Sequence, residues 1–406
     1  MEKRTYQVVF AGWFDLDIIP GIESQAEKIV DLLVPGKPAK VRGLRVVPGG
    51  PVTNTGVSAH RLGLKVELMG LVGTDHLSDL LLTVLQDAAG RSFQGIKKDP
   101  SVECPYVIGI CPPKIERMYL VDTAAADFFG FEHVDWQIVR NTDIFHLGYP
   151  PWLRRSYLKG GEELRRIFAR AQELGCTTSL DLSQIMEDTE AAQENWLSLM
   201  KTWAPVSDQM MPSVEEALQF IDEAKYKAKR REAGVHRDLV DVLTPEDIFP
   251  LAEKLLEFGT RIVMIKCGHK GIYIRTAARK VLEKMGAGAP NDLDAWSDRE
   301  LWHRVFSVPK SRFVGTMGAG DSAIAGWFAS YCRGHNIELC LRHAAAAGSL
   351  NATVLDGLSW NKGFEYLNQW QKEPEFPLDP EFRITQKGWK LNNQNGIWYG
   401  PHDAKR

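Results

Sequence analysis

Val314-Gly315-Thr316-Met317-Gly318-Ala319-Gly320-Asp321, followed by the small and apolar run 322–328, is the stretch on which the reading of this chain turns. Two glycines flank an alanine at the mouth of a helix whose composition predicts burial. Backbone N–H groups there can face an anion, and the helix dipole adds partial positive charge. Asp321 stands at the same spot, where its carboxylate can stay ionised and accept a proton from an attacking hydroxyl. Phosphoryl transfer needs that combination, because the protein mainly positions reactants and stabilises charge on the moving group. A glycine-rich turn with an N-cap would produce the same letters, so the surroundings have to decide.

The surroundings alternate strand, loop and helix, which predicts an α/β fold with a mostly parallel sheet. Residues 6–10 form a first buried strand. Thr53 or Asn54 is expected to cap a helix that stops at Gly63, 66–71 returns as a strand, and Asp75 caps a helix that ends at Gly90. Apolar runs at 144–147, 176–180 and 261–266 read as further strands, and Thr244-Pro245-Glu246-Asp247 starts a helix that Gly259 ends. Residues 13–48 carry Pro20, Gly21, Pro35, Gly36, Pro38 and Gly43 without a long helical period. With 100–122 they are expected to leave the main sheet as a small β lid. Two stretches look inserted: the charge-dense 221–243, expected as a solvated helix face, and the loop-rich 277–303, expected to project. Residues 361–406 read as a polar C-terminal extension with isolated tryptophans, able to pack against the body or a neighbouring subunit and with no assignable chemistry, after a kinase-like domain over 1–360.

Composition removes several classes of function. The formal charge of −3 over 406 residues gives no electrostatic case for nucleic acid or an anionic membrane as partner. No segment has the unbroken apolar length of a bilayer span. Met1-Glu2-Lys3-Arg4 passes directly into strand-like residues, so a cytoplasmic location is expected. The six cysteines contain no C-x-x-C pair and several sit in apolar runs, which fits reduced core thiols. Neither a G-x-x-x-x-G-K-[ST] loop nor the protein-kinase motif set is present.

A second glycine motif, Gly49-Gly50-Pro51-Val52-Thr53-Asn54, precedes the first in the chain, and Ile265-Lys266-Cys267-Gly268-His269-Lys270-Gly271 lies between them. With this set, over most of residues 5–355, the chain resembles the ribokinase-like, or PfkB, family of carbohydrate kinases. The resemblance implies a three-layer α/β core with a small β lid, and transfer of the γ-phosphoryl of ATP to a hydroxyl of a sugar or nucleoside with Mg²⁺. It implies Asp321 as base and Gly318, Ala319 and Gly320 as an anion hole. Asp17, with Asp15 as its substitute, and Gly49, Gly50 and Asn54 are implied on the sugar; Lys266, Gly268, Gly271 and Asn351 on the nucleotide; and Glu216 on the metal. Asp17 would otherwise be an ordinary loop acid, and Gly268 and Gly271 equally suit a plain β-hairpin. A homodimer through the lid and activation by K⁺ also occur in the family.

Departures from the family pattern gather on the nucleotide side. Ser213 replaces an asparagine before Glu216, and the two alone would make a capping box. Gly315 replaces an aspartate, Lys266 a threonine, and Asp181-Leu182-Ser183 stands for D-x-N. Lys266 either strengthens phosphate binding or reaches solvent from a strand end. The favoured expectation is therefore a sugar or polyol kinase. A nucleoside kinase, with Trp13, Phe14, Tyr106, Tyr119 and Phe128 as lid aromatics, and a catalytically weak sugar-binding regulator are the alternatives.

Overall fold

Alternation with a period of two runs through the first strand: Val8 and Phe10 join one buried cluster, Val9 and Ala11 the other. Both faces of this strand are therefore covered, the condition under which parallel sheets form. The computed structural model describes residues 4–115, 117–234 and 237–404. Met1–Lys3, Glu116 within the expected lid, Val235 and His236 within the expected insertion, and the last two residues of the tail lie outside the described residues.

The strands in chain order are β1 (Tyr6–Gly12), β2 (Asp15–Pro20), β3 (Leu44–Gly49), β4 (Val66–Val72), β5 (Ile96–Lys98), β6 (Tyr106–Ile110), β7 (Met118–Asp122), β8 (Thr142–Gly148), β9 (Thr177–Leu180), β10 (Gln209–Met210), β11 (Ile262–Lys266), β12 (Ile272–Thr276), β13 (Glu300–His303), β14 (Lys390–Asn392) and β15 (Ile397–Tyr399). Eleven of them make one sheet in the order β14-β15-β13-β12-β11-β10-β9-β8-β1-β4-β5. From β5 to β11 every pairing is parallel; from β11 to β14 every pairing is antiparallel. The remaining four form a separate sheet, β3-β2-β6-β7, in which β2 and β6 are parallel and the other pairs antiparallel.

One face of the large sheet is covered by helices Gly50–Arg61, His76–Ala89, Ala319–Tyr331 and Ile337–Asn351, and the other by Arg154–Glu173, Trp196–Trp203, Val214–Ile221 and Pro245–Phe258. Local signals explain their ends. Asp75 accepts from Ser78 N at 3.0 Å and Gly90 closes that helix at φ 72°; Thr244 and Asp247 cap the last of the eight, with Pro245 in its first turn.

Three expectations need correction, and the tail packs against the body. Helix Gly50–Arg61 has Gly49 at its N-cap position, so Thr53 and Asn54 lie within it; Pro51 suits the first turn, where its missing N–H costs nothing. Residues 277–303 do not project: Trp296 and Trp302 are 3% and 0% exposed and β13 continues the sheet. The stretch 221–243 is not only a solvated face, since Ala233, Leu239, Val240 and Val242 are buried. In the tail, β15 pairs with β13 and β14 with β15, while Trp370, Trp389 and Trp398 are buried anchors. Among the described residues no helix is long and apolar enough to cross a membrane.

Candidate active site

Parallel pairing aligns the carboxyl ends of the strands: Gly12 lies beside Gly148, Leu147 beside Leu180, Leu180 beside Met210 and Met210 beside Val263. Ligand sites of open α/β sheets form at this edge. Asp15, Tyr149, Asp181, Ser213 and Lys266 all lie at or just beyond it, from five different segments.

Asp321 occupies the first turn of helix Ala319–Tyr331 and is 3% exposed. Three side chains donate to its carboxylate: Asn54 Nδ2 to Oδ2 at 3.1 Å, Tyr149 OH to Oδ1 at 3.2 Å and Thr55 Oγ1 to Oδ1 at 3.4 Å. Burial pushes the Asp321 carboxyl up from the usual carboxylate range, while the Lys266 charge and these donors pull it back. Tyr149 is held well above its ordinary value by burial and then by Asp321, so it stays a donor.

Gly318 adopts φ 70°, a left-handed turn that costs a glycine least, and a Cβ there would come within 2.9 Å of Gly357 Cα. The Ala319 N–H donates to the Thr316 carbonyl at 3.1 Å and Ser322 N–H to the Gly318 carbonyl at 2.8 Å. Among the described residues, no backbone carbonyl accepts from Gly320 or Asp321. Of the three amides expected in the anion hole, that of Ala319 is occupied, while those of Gly318 and Gly320, like that of Asp321, have no backbone acceptor among the described residues.

Lys266, at the end of β11, turns inward and leaves only 12% of its side chain exposed. Its Nζ lies 2.6 Å from Asp181 Oδ1, and a Cβ on Gly320 would stand 3.7 Å from that ammonium. Burial opposes the charge, but Asp181, Glu216 and Asp321 outweigh it and raise the lysine above its ordinary value. A fixed cation thus sits under the open end of the helix. Glu216 is tied into the capping box, its Oε2 accepting from Ser213 N at 2.6 Å. No group of three or more metal-ligating side chains occurs among the described residues.

Asp15 and Asp17 sit on β2, opposite Gly49 and Val47 of β3. A cavity of about 300 Å³ opens beside them, lined by Asp17, Asn54, Arg61, Met317 and Asp356 among others. Asn54 thus faces both this cavity and Asp321. Gly50 packs so tightly that a Cβ would meet Phe14 Cα at 2.7 Å, which locks the two glycines beneath the lid. Gly268 and Gly271 bound the turn between β11 and β12, where Cys267 N donates to the Gly271 carbonyl at 2.7 Å. Asn351 is not on an open surface: it is 0% exposed and donates to the Asp356 carbonyl at 3.3 Å, bracing the loop against Gly318.

Family and fold are settled by comparison with known proteins. The family model for "pfkB family carbohydrate kinase" matches residues 22–358. The chain belongs to the PfkB family of carbohydrate kinases. A sugar kinase of Archaeoglobus fulgidus, itself uncharacterised, is 24% identical over 287 residues, covering 70% of this chain and 89% of that protein. Arabidopsis thaliana ribokinase, solved with ribose and ATP, superimposes with TM-score 0.64 at 18% identity, covering 91% of this chain and 99% of that one. An E. coli protein described as ribokinase II, solved with ATP and Mg²⁺, gives TM-score 0.64 at 18% identity over 90% and 98% of the two chains. The PfkB chain therefore has the ribokinase fold.

Sequence reading missed Tyr149, Thr55 and Arg117. Thr55 follows Asn54 and its position was available. Tyr149 lies 172 positions from Asp321 in a left-handed turn, with no motif around it. Arg117, from the lid, donates to the Val314 carbonyl at 3.3 Å and fills the space a side chain at Gly315 would take.

Proposed function

We propose that this kinase transfers the γ-phosphoryl of ATP to a hydroxyl of a sugar or related small polyol. The observation that carries the reading is the convergence of the Asp321 carboxylate, the open Gly320 and Asp321 amides and the Lys266 ammonium at one helix end, with Asn54 joining Asp321 to the lid cavity. The acceptor hydroxyl would lie against Asp321. As its oxygen bonds to the γ-phosphorus, its proton passes to Oδ of Asp321, the β–γ bridging P–O bond breaks, and ADP leaves with that electron pair.

The open amides and Lys266 suit a phosphate. Glu216 would help hold the Mg²⁺ that arrives with the nucleotide, and the ion would neutralise charge on the phosphates. Gly268 and Gly271 would border the nucleotide, and Asn351 would act by holding the 355–359 loop. Asp17, Asp15, Gly49, Gly50 and Asn54 would form the acceptor side. Against nucleosides, Trp13 is stacked on Trp152 at 4.6 Å and 2°, and Phe14 is 1% exposed, so neither is open to clamp a base.

Residues 1–360 would be the catalytic domain, with 361–406 bracing its sheet edge. Leu44 and Leu120, 62% and 58% exposed on the lid, favour a homodimer through that sheet. A cytoplasmic location belongs to the same proposal. The test is transfer of labelled γ-phosphate from ATP to a panel of sugars, polyols and nucleosides with Mg²⁺, with and without K⁺. A labelled sugar phosphate supports the reading; saturable sugar binding without any labelled product would replace it with the regulatory one.

A further inference from the structure

Asp15 and Asp17 are two residues apart on β2 and so face the same side of the lid. Gly49, opposite Asp15 in the ladder, has no side chain, and the two carboxylates occupy that space. A Cβ at Gly49 would lie 2.5 Å from Asp17 Oδ2 and closer still to Asp15 Oδ1, so the acids converge on one point. Asp15 is 1% exposed, yet neither of its oxygens has a hydrogen-bond partner among the described residues. A buried carboxyl left in that state is costly unless a ligand satisfies it.

The cations nearby are already engaged. Arg45 faces Asp356 at 4.0 Å, Arg117 donates to the Val314 carbonyl at 3.3 Å, and Arg61 donates to the carbonyls of Leu358 at 2.8 Å and Ala88 at 2.6 Å. Asp17 opens into the cavity of about 300 Å³, whose lining also carries Asp87 and Asp356 against the single guanidinium of Arg61. Burial pushes the Asp15 carboxyl well up, with the Asp17 charge adding to it, and burial brings Asp17 to about 6; no cation enters either shift.

We propose that the acceptor carries a protonated amino group, as in an amino sugar or aminopolyol, and that its ammonium is held between Asp15 and Asp17. This rests on the phosphotransfer reading above, since it is the acceptor's hydroxyl that must reach Asp321 past Asn54. An ammonium supplies both the donors that Asp15 lacks and the charge that lets two adjacent carboxylates ionise together. A neutral polyol supplies only the donors. A bare metal ion would find two carboxylates and no third ligand side chain, because no larger ligating group exists among the described residues.

Calorimetric titration of the full chain separates these cases. The probes are glucosamine, galactosamine and mannosamine, each beside its parent hexose and its N-acetyl derivative, with Mg²⁺ alone as a further arm. We expect at least one amine to bind tenfold or more tightly than both of its neutral counterparts, and Asp15→Asn, checked by thermal melting, to bring that ratio within threefold. Asp17→Asn gives an independent variant should Asp15→Asn fail to fold. Equal or tighter binding of the neutral sugars, no binding of any amine, a preference that survives Asp15→Asn, or Mg²⁺ filling the pair in place of amines would overturn the proposal. ADP release measured alongside distinguishes the two readings. Turnover of neutral sugars alone leaves phosphotransfer standing and overturns the ammonium site, whereas amine binding without turnover supports the site and contradicts phosphotransfer.

Discussion

Asn54 donates to Asp321 across 3.1 Å and lines the lid cavity as well, so one amide joins the helix behind the Gly-Gly motif to the helix behind Gly-Ala-Gly. The two motifs are 267 positions apart at this contact, and the contact gives their common presence a physical reason. It also fixes where an acceptor must approach if Asp321 is the base.

The donors on Asp321 set its proton affinity. Asn54, Tyr149 and Thr55 favour the ionised carboxylate, opposing burial. Tyr149→Phe removes one of them, so the Asp321 pKa rises and the acid limb of the kcat/KM profile moves to higher pH by roughly half to one unit. A limb that stays in place while kcat/KM falls would assign Tyr149 to substrate contact instead.

Lys266 is the cation of a buried acidic cluster. Lys266→Met leaves Asp181 and Glu216 without their counter-charge, and removing one partner of a buried pair costs about 3–5 kcal/mol. Urea unfolding of Lys266→Met beside the double variant Lys266→Met/Asp181→Leu reads the coupling. The double variant should recover much of the loss; two losses that simply add would show that the 2.6 Å pair contributes little.

Two neighbouring glycines should respond in opposite ways. Gly318→Ala places a side chain at φ 70° and against Gly357 Cα at 2.9 Å, so destabilisation of about 1–3 kcal/mol is expected. Gly320 sits in the helix, and an added Cβ would make ordinary contact with the Lys266 side chain, Cε being nearest at 3.5 Å. Gly320→Ala should melt no lower than the parent and lose ATP affinity through crowding of the open amides. Comparable melting of both variants would contradict the geometry.

Asp17 gives a stability prediction with a definite sign. Its folded value of about 6 exceeds the unfolded carboxylate value near 3.9, so the folded state holds the proton more tightly. That contribution is complete below about pH 4 and is lost as pH rises through 6. The ligand-free protein should therefore lose on the order of 2 kcal/mol from this group between pH 4 and pH 8, and Asp17→Asn should flatten the profile. Equal slopes in parent and variant would show that Asp17 is no more buried in the folded state than in the unfolded one.

Much of this was legible in the chain because it is encoded locally. The period-two strands, the Asp75 and Thr244 caps and the two glycine motifs each depend on neighbours a few residues away, and each appears in the structure. Contacts made by the fold were not legible. Lys266 could be read as a solvent-seeking strand end, because Asp181 lies 85 positions before it. Strands β14 and β15 have three residues each, too few to show a period, and the loop-rich 277–303 hid Trp296 and Trp302, which draw it inward. Asn54 looked like a helix cap because its position follows a turn, and only the packed helices show its amide turned to Asp321.

The most direct measurement is single-turnover phosphate transfer by Asp321→Asn, with ATP binding followed by calorimetry on the same sample. If Asp321 is the base, transfer falls by about 10²–10⁴-fold while ATP affinity stays within a few-fold of the parent. Transfer within tenfold of the parent, at equal ATP occupancy, would contradict the assignment of Asp321 and with it the central claim.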